Sequence, residues 1–262
     1  MQAFLQKFLF LLFLPLLLFC HSGGAAPVST ENGTEILVLN YHKIDRANHP
    51  LAVPPEEFEA QILHLKNNNY HSISPDELYD YLAFQKPLPY RPVLITFDDG
   101  YEDNYLAAYP ILKKHGFRAT IFVIPSLMGK KNYLTWQQAR EMSKNGISIQ
   151  SHTVSHKPLS DLSREEAEKE LAESRRIIQE NVGQPVSYIA YPEGSYNRLI
   201  EQLAEKAGYK AGFSIRYGSV DRTSDRLALE RIPIFRTDRT FRDFLRRIHY
   251  ASSFERVGWV TP

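Results

Sequence analysis

Two clusters in this sequence carry residue types that could do chemistry. The first is Asp98-Asp99-Gly100, which ends the apolar run Val93-Leu94-Ile95-Thr96-Phe97 within VLITFDDGYEDN. Asp-Gly is a common turn dipeptide, so one aspartate has a structural use. Two adjacent like charges at a strand end cost free energy unless a cation or a proton shares them. The second cluster is His152 and His156 in ISIQSHTVSH. Their spacing would put both imidazoles on one side of a helical turn and suits one metal ion. One carboxylate and two imidazoles leave room for water, as catalytic zinc sites do. One aspartate would then bind the cation, and the other would stay free beside it as a base for an attacking water. Successive side chains on a regular strand diverge, so the two converge only if the chain turns at Gly100.

Both clusters follow expected strands, and the rest of the chain supplies an alternating series to position them. EILVLNYH (35–42), residues 92–97, ATIFVI (119–124), ISIQS, SYIAYP, AGFSI and LERIPIF read as strands. Helices are expected between and after them. PPEEFEAQILHLKNNN starts with proline and has Phe58, Ile62 and Leu65 at helical spacing. NYLAAYPILKKHG is closed by Gly116, and SREEAEKELAESRRIIQENVG carries a capping-box pattern at Ser163 and Glu166. Such alternation means an α/β chain with a parallel sheet and crossover helices, and the number of repeats suits a barrel of about seven or eight units. In such barrels functional groups gather at the C-terminal ends of the strands, where both clusters fall.

Residues 8–19, FLFLLFLPLLLF, form an apolar run behind Lys7, and Gly23-Gly24-Ala25-Ala26 follows. This is the layout of a secretory signal, with cleavage expected after Ala26, residues 27–34 as a linker and 35–262 as one domain. Cys20, the one cysteine, stands where a lipoprotein signal places its acylated residue, although such signals usually avoid a bulky residue like Phe19 before it. The run is also only slightly shorter than a membrane span, so a retained anchor is the third expectation. Each variant places the protein outside the cytoplasm, secreted or held at the surface through its N-terminus. A net charge of +1 gives no global electrostatic case for nucleic acid. The protein is expected to act as a monomer.

TFDDGYEDN followed by SHTVSH resembles the first two motifs of the NodB-like polysaccharide deacetylases, a carbohydrate esterase family. YIAYPEGSYN resembles that family's Pro-x-Gly motif, and the likeness runs from Glu35 to about Ile234. The resemblance implies a distorted (β/α) barrel of about seven units and metal-dependent hydrolysis of acetyl groups on a glycan. By position it implies Asp98 as general base and Asp99, His152 and His156 as metal ligands. The backbone N–H near Tyr101 would help hold the oxyanion. Tyr101, Tyr191 and Pro192 fall to the substrate side of the site. The metal would be one divalent ion, zinc first, with cobalt, nickel or iron also suited to this donor set.

The chain departs from the family pattern in two places. An arginine that orients the base in many members is absent ahead of Pro192, where Ile189-Ala190-Tyr191 stands. Arg231 in LERIPI is the candidate to supply that base-orienting charge from a neighbouring strand end, and is grouped with the substrate-side residues. The late histidine that serves as general acid is also missing, and His249 falls on an expected helix surface. His42 in VLNYHKI fills the gap by resemblance to the branch that deacetylates poly-β-1,6-N-acetylglucosamine, where a Tyr-His on the N-terminal strand does that work. An imidazolium near neutral pH can protonate a departing amine. The expected substrate is therefore that biofilm polysaccharide. Peptidoglycan, chitin-like oligomers or acetylxylan are the enzymatic alternatives, and a glycan-binding module without catalysis is the non-enzymatic one.

Overall fold

The structure, a computed structural model, describes residues 28–29, 35–237 and 239–254. The expected leader, Cys20 and most of the expected linker lie outside the described residues. Within that linker, Val28–Ser29 pair antiparallel with Leu88–Pro89.

Seven parallel strands close into a ring: β1 (Leu37–Tyr41), β2 (Pro92–Phe97), β3 (Ala119–Val123), β4 (Ile147–Ser151), β5 (Tyr188–Ala190), β6 (Ala211–Tyr217) and β7 (Leu229–Pro233). Their order is β1-β7-β6-β5-β4-β3-β2, and β2 pairs back onto β1 from Leu37 against Val93 to Tyr41 against Phe97. The helices around it are α1 (Pro55–Asn67), α2 (Pro75–Phe84), α3 (Tyr109–His115), α4 (Trp136–Lys144), α5 (Arg164–Val182), α6 (Arg198–Lys206) and α7 (Thr240–Phe254). The distorted barrel of about seven units expected from the motifs is the one that forms.

Local signals set these boundaries. Ser74 with Glu77, Thr135 with Gln138 and Ser163 with Glu166 form complete capping boxes at the starts of α2, α4 and α5. Gly116 and Gly183, both left-handed, end α3 and α5. A π-helical turn, Asn104–Ala108, leads into α3.

Period-two alternation splits the strand residues into two packed sets. Val38, Leu94, Phe122, Ala190, Phe213 and Leu229 fill the barrel, joined by Leu78 and Tyr81 of α2. Because α2 precedes β2, it closes the end where the strands begin. The alternate residues, such as Leu39, Ile95, Ile121, Ile149 and Ile189, pack under Phe58, Ile62, Met142, Leu171 and Leu203 of the helices. Farther along the strands the inward phase turns polar, with Asn40, Thr96 and Asp98 following Val38 and Leu94, and Arg231 following Leu229.

One seam of the ring is thin. β4 and β5 pair only at Ser151 and Ile189. Below that point the Gln150 side chain substitutes for a strand, its Oε1 accepting from the Ser187 and Tyr188 amides at 2.9 and 3.0 Å. Replacing this acceptor with an apolar group leaves two buried N–H groups unmet. Gln150→Leu should lower the unfolding free energy by about 2–6 kcal/mol, at roughly 1–3 per orphaned group. Urea denaturation at unchanged slope measures this, and a loss below about 1 kcal/mol would mean that water satisfies the seam.

Candidate active site

Because all seven strands are parallel, their C-terminal ends form one rim. Asp98 and Asp99 leave β2 there, His152 leaves β4, and His42 leaves β1. The β1–β2 pairing continues one step, the Asp98 amide donating to the Tyr41 carbonyl at 2.9 Å, so His42 emerges beside the aspartates.

Asp98 and Asp99 part company because of the backbone. Asp98 keeps the inward phase of its strand and is 2% exposed. Asp99 and Gly100 both adopt φ = 70°, in the left-handed region. That double reversal re-aims Asp99 across the rim toward β4. A Cβ on Gly100 would approach Val123 Cγ1 to 3.0 Å, so the turn needs glycine for space as well as for φ.

The two histidines do not share a helical turn, as their spacing had suggested. They sit on a loop after β4 in which Thr153 (φ 62°) and His156 (φ 60°) are left-handed. The loop is tied from within by the His156 amide donating to Thr153 Oγ1 at 3.1 Å. It is tied from without by Glu170 of α5, which accepts from the Val154 and Ser155 amides at 2.7 and 2.9 Å and from Ser155 Oγ at 2.6 Å. The imidazole rings end 4.7 Å apart.

The donor set suits a cation. Asp99 Oδ1 lies 3.7 Å from His152 Nε2 and 3.4 Å from His156 Nε2, and the three potential ligand atoms are all within 4.8 Å of one another. Bonds of about 2.1 Å in a tetrahedron would set donors roughly 3.4 Å apart. His152 Nδ1 lies 2.7 Å from the Ala190 carbonyl, which can only accept, so Nδ1 carries the proton and Nε2 offers its lone pair. Burial lowers the His152 pKa against the opposing pull of Asp98 and Asp99, which favours the neutral ring a metal requires.

Asp98 faces a different partner. Arg231 donates to it through two parallel bonds, Nη1 to Oδ1 at 2.8 Å and Nη2 to Oδ2 at 2.7 Å, and Asn40 Nδ2 adds a third at 2.8 Å. Burial alone would raise the Asp98 pKa. The Arg231 charge, with His152 and His42, outweighs it and holds the carboxyl well below the usual range. Arg231 is itself 0% exposed, with Nε on the Ser214 carbonyl. Its placement among the substrate-contacting residues is therefore corrected: it meets Asp98 and not the solvent side of the rim. The guanidinium missing ahead of Pro192 arrives from β7.

The remaining expected residues divide. His42 is part-exposed at the rim, and its charge acts on Asp98. Tyr101 stacks on Tyr133 with centroids 5.2 Å apart, and the Lys43 ammonium lies 5.3 Å from its ring. Burial and then the Asp99 charge raise its pKa, so its hydroxyl stays protonated. The Tyr101 amide is not used by its bridge to Tyr133, whose bonds run from the Glu102 and Leu134 amides. Tyr191 is corrected: its ring is 0% exposed, and its hydroxyl donates to the Leu227 carbonyl, so it packs instead of facing a sugar. Pro192 is likewise buried, opening a short 3-10 turn. Sequence reasoning missed Asn40, Glu170 and Asn104. Asn40 gave a faint signal as a polar residue inside an apolar strand, and Glu170 as a charge bordering the buried stripe Ala167, Leu171 and Ser174.

Glu170 fixes the loop that carries two of the three donors without touching the metal position. Supporting contacts of this kind are typically worth 10–100-fold in metal affinity. Glu170→Ala should weaken zinc binding by about 10-fold or more in competition with a chelating dye, whereas Glu173→Ala on the same helix should leave it unchanged.

Comparison with known proteins accords with this geometry. The family model described as polysaccharide deacetylase matches residues 85–212, a span that holds both aspartates and both histidines but neither His42 nor Arg231. The chain is 40% identical over 210 residues to "Putative polysaccharide deacetylase YxkH" of Bacillus subtilis (strain 168), covering 80% of this chain and 75% of that one. It is 30% identical over 242 residues to the poly-beta-1,6-N-acetyl-D-glucosamine N-deacetylase of Staphylococcus aureus (strain MRSA252), covering 80% and 82%. Among solved structures, the Streptococcus pyogenes deacetylase PplD in complex with acetate aligns with a TM-score of 0.77 at 33% identity, covering 82% of this chain and 98% of that one. A rim that gathers a buried carboxylate and an Asp-His-His donor set, on a barrel shared with these proteins, is accounted for by one conclusion: this chain is a member of the polysaccharide deacetylase family.

Proposed function

We propose that the protein is a metal-dependent N-deacetylase of poly-β-1,6-N-acetyl-D-glucosamine, acting outside the cytoplasm on a biofilm polysaccharide. The observation that carries the substrate is His42. It stands at the end of the first strand, beside Asp98, where an acid supplied ahead of the first motif would have to be. The 30% identity to the staphylococcal enzyme of that specificity supports the same reading. The apolar leader read from residues 8–19 supports export.

Each residue has a role that its surroundings favour. A divalent cation held by Asp99, His152 and His156 would supply Lewis-acid activation of water and of the acetamide carbonyl. Asp98, kept ionised and oriented by Arg231 and Asn40, accepts the proton of the attacking water. The free Tyr101 amide donates to the carbonyl oxygen as charge builds on it. His42 gives a proton to the departing amine nitrogen, so acetate and a glucosamine unit leave. Water is consumed and no other reactant is required.

Acetate release from β-1,6-linked N-acetylglucosamine oligomers tests this, using the chain from residue 27 onward with and without chelator. Release should require metal, and Asp98→Asn and His42→Ala should each lower kcat by about 10²–10⁴-fold. Release untouched by His42→Ala would remove the acid assignment. Release only from peptidoglycan, chitin oligomers or acetylxylan would move the substrate, and glycan binding without any release would make the protein a binding module.

A further inference from the structure

We infer that Asn104 is a positioning residue for His42, holding its main chain directly and its ring through Nδ1. The inference rests on the deacetylase reading above, in which His42 is the acid. Asn104 Nδ2 donates to the His42 carbonyl at 2.8 Å and to Asp103 Oδ1 at 3.0 Å. Asp103 Oδ1 in turn accepts the Ile44 amide at 2.8 Å. The pair Asp103-Asn104 thus grips the chain on both sides of Lys43, fixing where the segment after β1 leaves the barrel. Asn104 is 1% exposed and opens the π-helical turn, a geometry that recurs where a helix start is re-aimed for function.

The side chains show what the main-chain bonds do not. A carbonyl and a carboxylate both accept, so the Asn104 amide nitrogen must face them and Oδ1 must face elsewhere. That Oδ1 is buried and has no hydrogen-bond partner, and neither has the buried Nδ1 of His42. Orphaned buried polar atoms are rare, and here an acceptor and a donor-capable nitrogen are orphaned on two residues already bonded to each other. An imidazolium that gives up its Nε2 proton needs an acceptor for the N–H on Nδ1. Asn104 Oδ1 supplies it, through one buried water or by rotation of the ring. The bond keeps the proton on Nδ1 and leaves Nε2 as the nitrogen that delivers.

The zinc-loaded chain with ¹⁵N-labelled histidine tests this apart from turnover. In the wild type at pH 9, where an ordinary imidazole is neutral, the His42 ring spectrum should show its one proton on Nδ1, and Asn104→Leu should shift that tautomer signature. In acetate release, Asn104→Leu should lower kcat about 10–100-fold with KM within twofold, and should have no further effect in a His42→Ala background. Asn104→Gln, which keeps both the donor and the acceptor, should recover part of kcat and of the ring signature. Asn104→Ala, which removes both groups without adding bulk, carries the same test should the leucine variant not fold. A ring spectrum identical in wild type and in the folded leucine or alanine variant overturns the inference, as does an equal loss with and without His42. A wild type that releases no acetate overturns the deacetylase reading instead, and the ring spectrum still decides whether Asn104 holds His42.

Discussion

The structure depends on a buried ion pair that only a closed ring can make. Arg231 lies on β7 and Asp98 at the end of β2, with β1 between them in the ring order β7-β1-β2. The guanidinium therefore reaches past the first strand of the barrel to join its last strand to its second. Neither charge has water to fall back on, and breaking such a pair from one side costs about 3–5 kcal/mol. The enclosure that makes the pair costly to break also prevents either group from rotating away. Asn40 of β1 and the Thr96 hydroxyl of β2 complete the polar layer around it.

Above that layer the two aspartates do different work because the chain reverses between them. The strand phase leaves Asp98 inside, facing a fixed cation of the protein. The left-handed residues at 99 and 100 deliver Asp99 to the histidines. One carboxylate is held by a guanidinium and an amide, while the other is one of three donors grouped as a metal ion requires. A plain extension of the strand would have put Asp99 among the helices.

Much of this was legible in the sequence, for reasons that also show where the reading stopped. Alternation of apolar strands with capped helices gave the barrel, because caps and period are local signals. The Asp-Asp-Gly and His-x-x-x-His clusters were visible because their members are close in sequence. The spacing of the histidines nevertheless suggested a helical turn. A loop with left-handed residues at 153 and 156 brings the rings together equally well, and nothing local distinguishes the two. Tyr191 adjoins a motif in sequence, which points to the substrate side, but its neighbours in space are Leu227 and Tyr196. Arg231 is legible as the charge for the base because it stands at the right end of a strand, but its burial is not, since its partner is 133 residues away. Gln150, Glu170 and Asn104 hold backbone that belongs to other elements, and no single segment announces such a role.

A ring of parallel strands has no first member. His42 comes from the first strand of this barrel and Arg231 from the last, yet closure sets both beside the same aspartate. Order along the gene is thereby uncoupled from order around the rim. A guanidinium from β7 and an imidazole from β1 can therefore meet one aspartate of β2 because the ring shuts. The closed barrel is in this sense a circular address system: a place on the rim is defined by the ring and not by the strand number that supplies it.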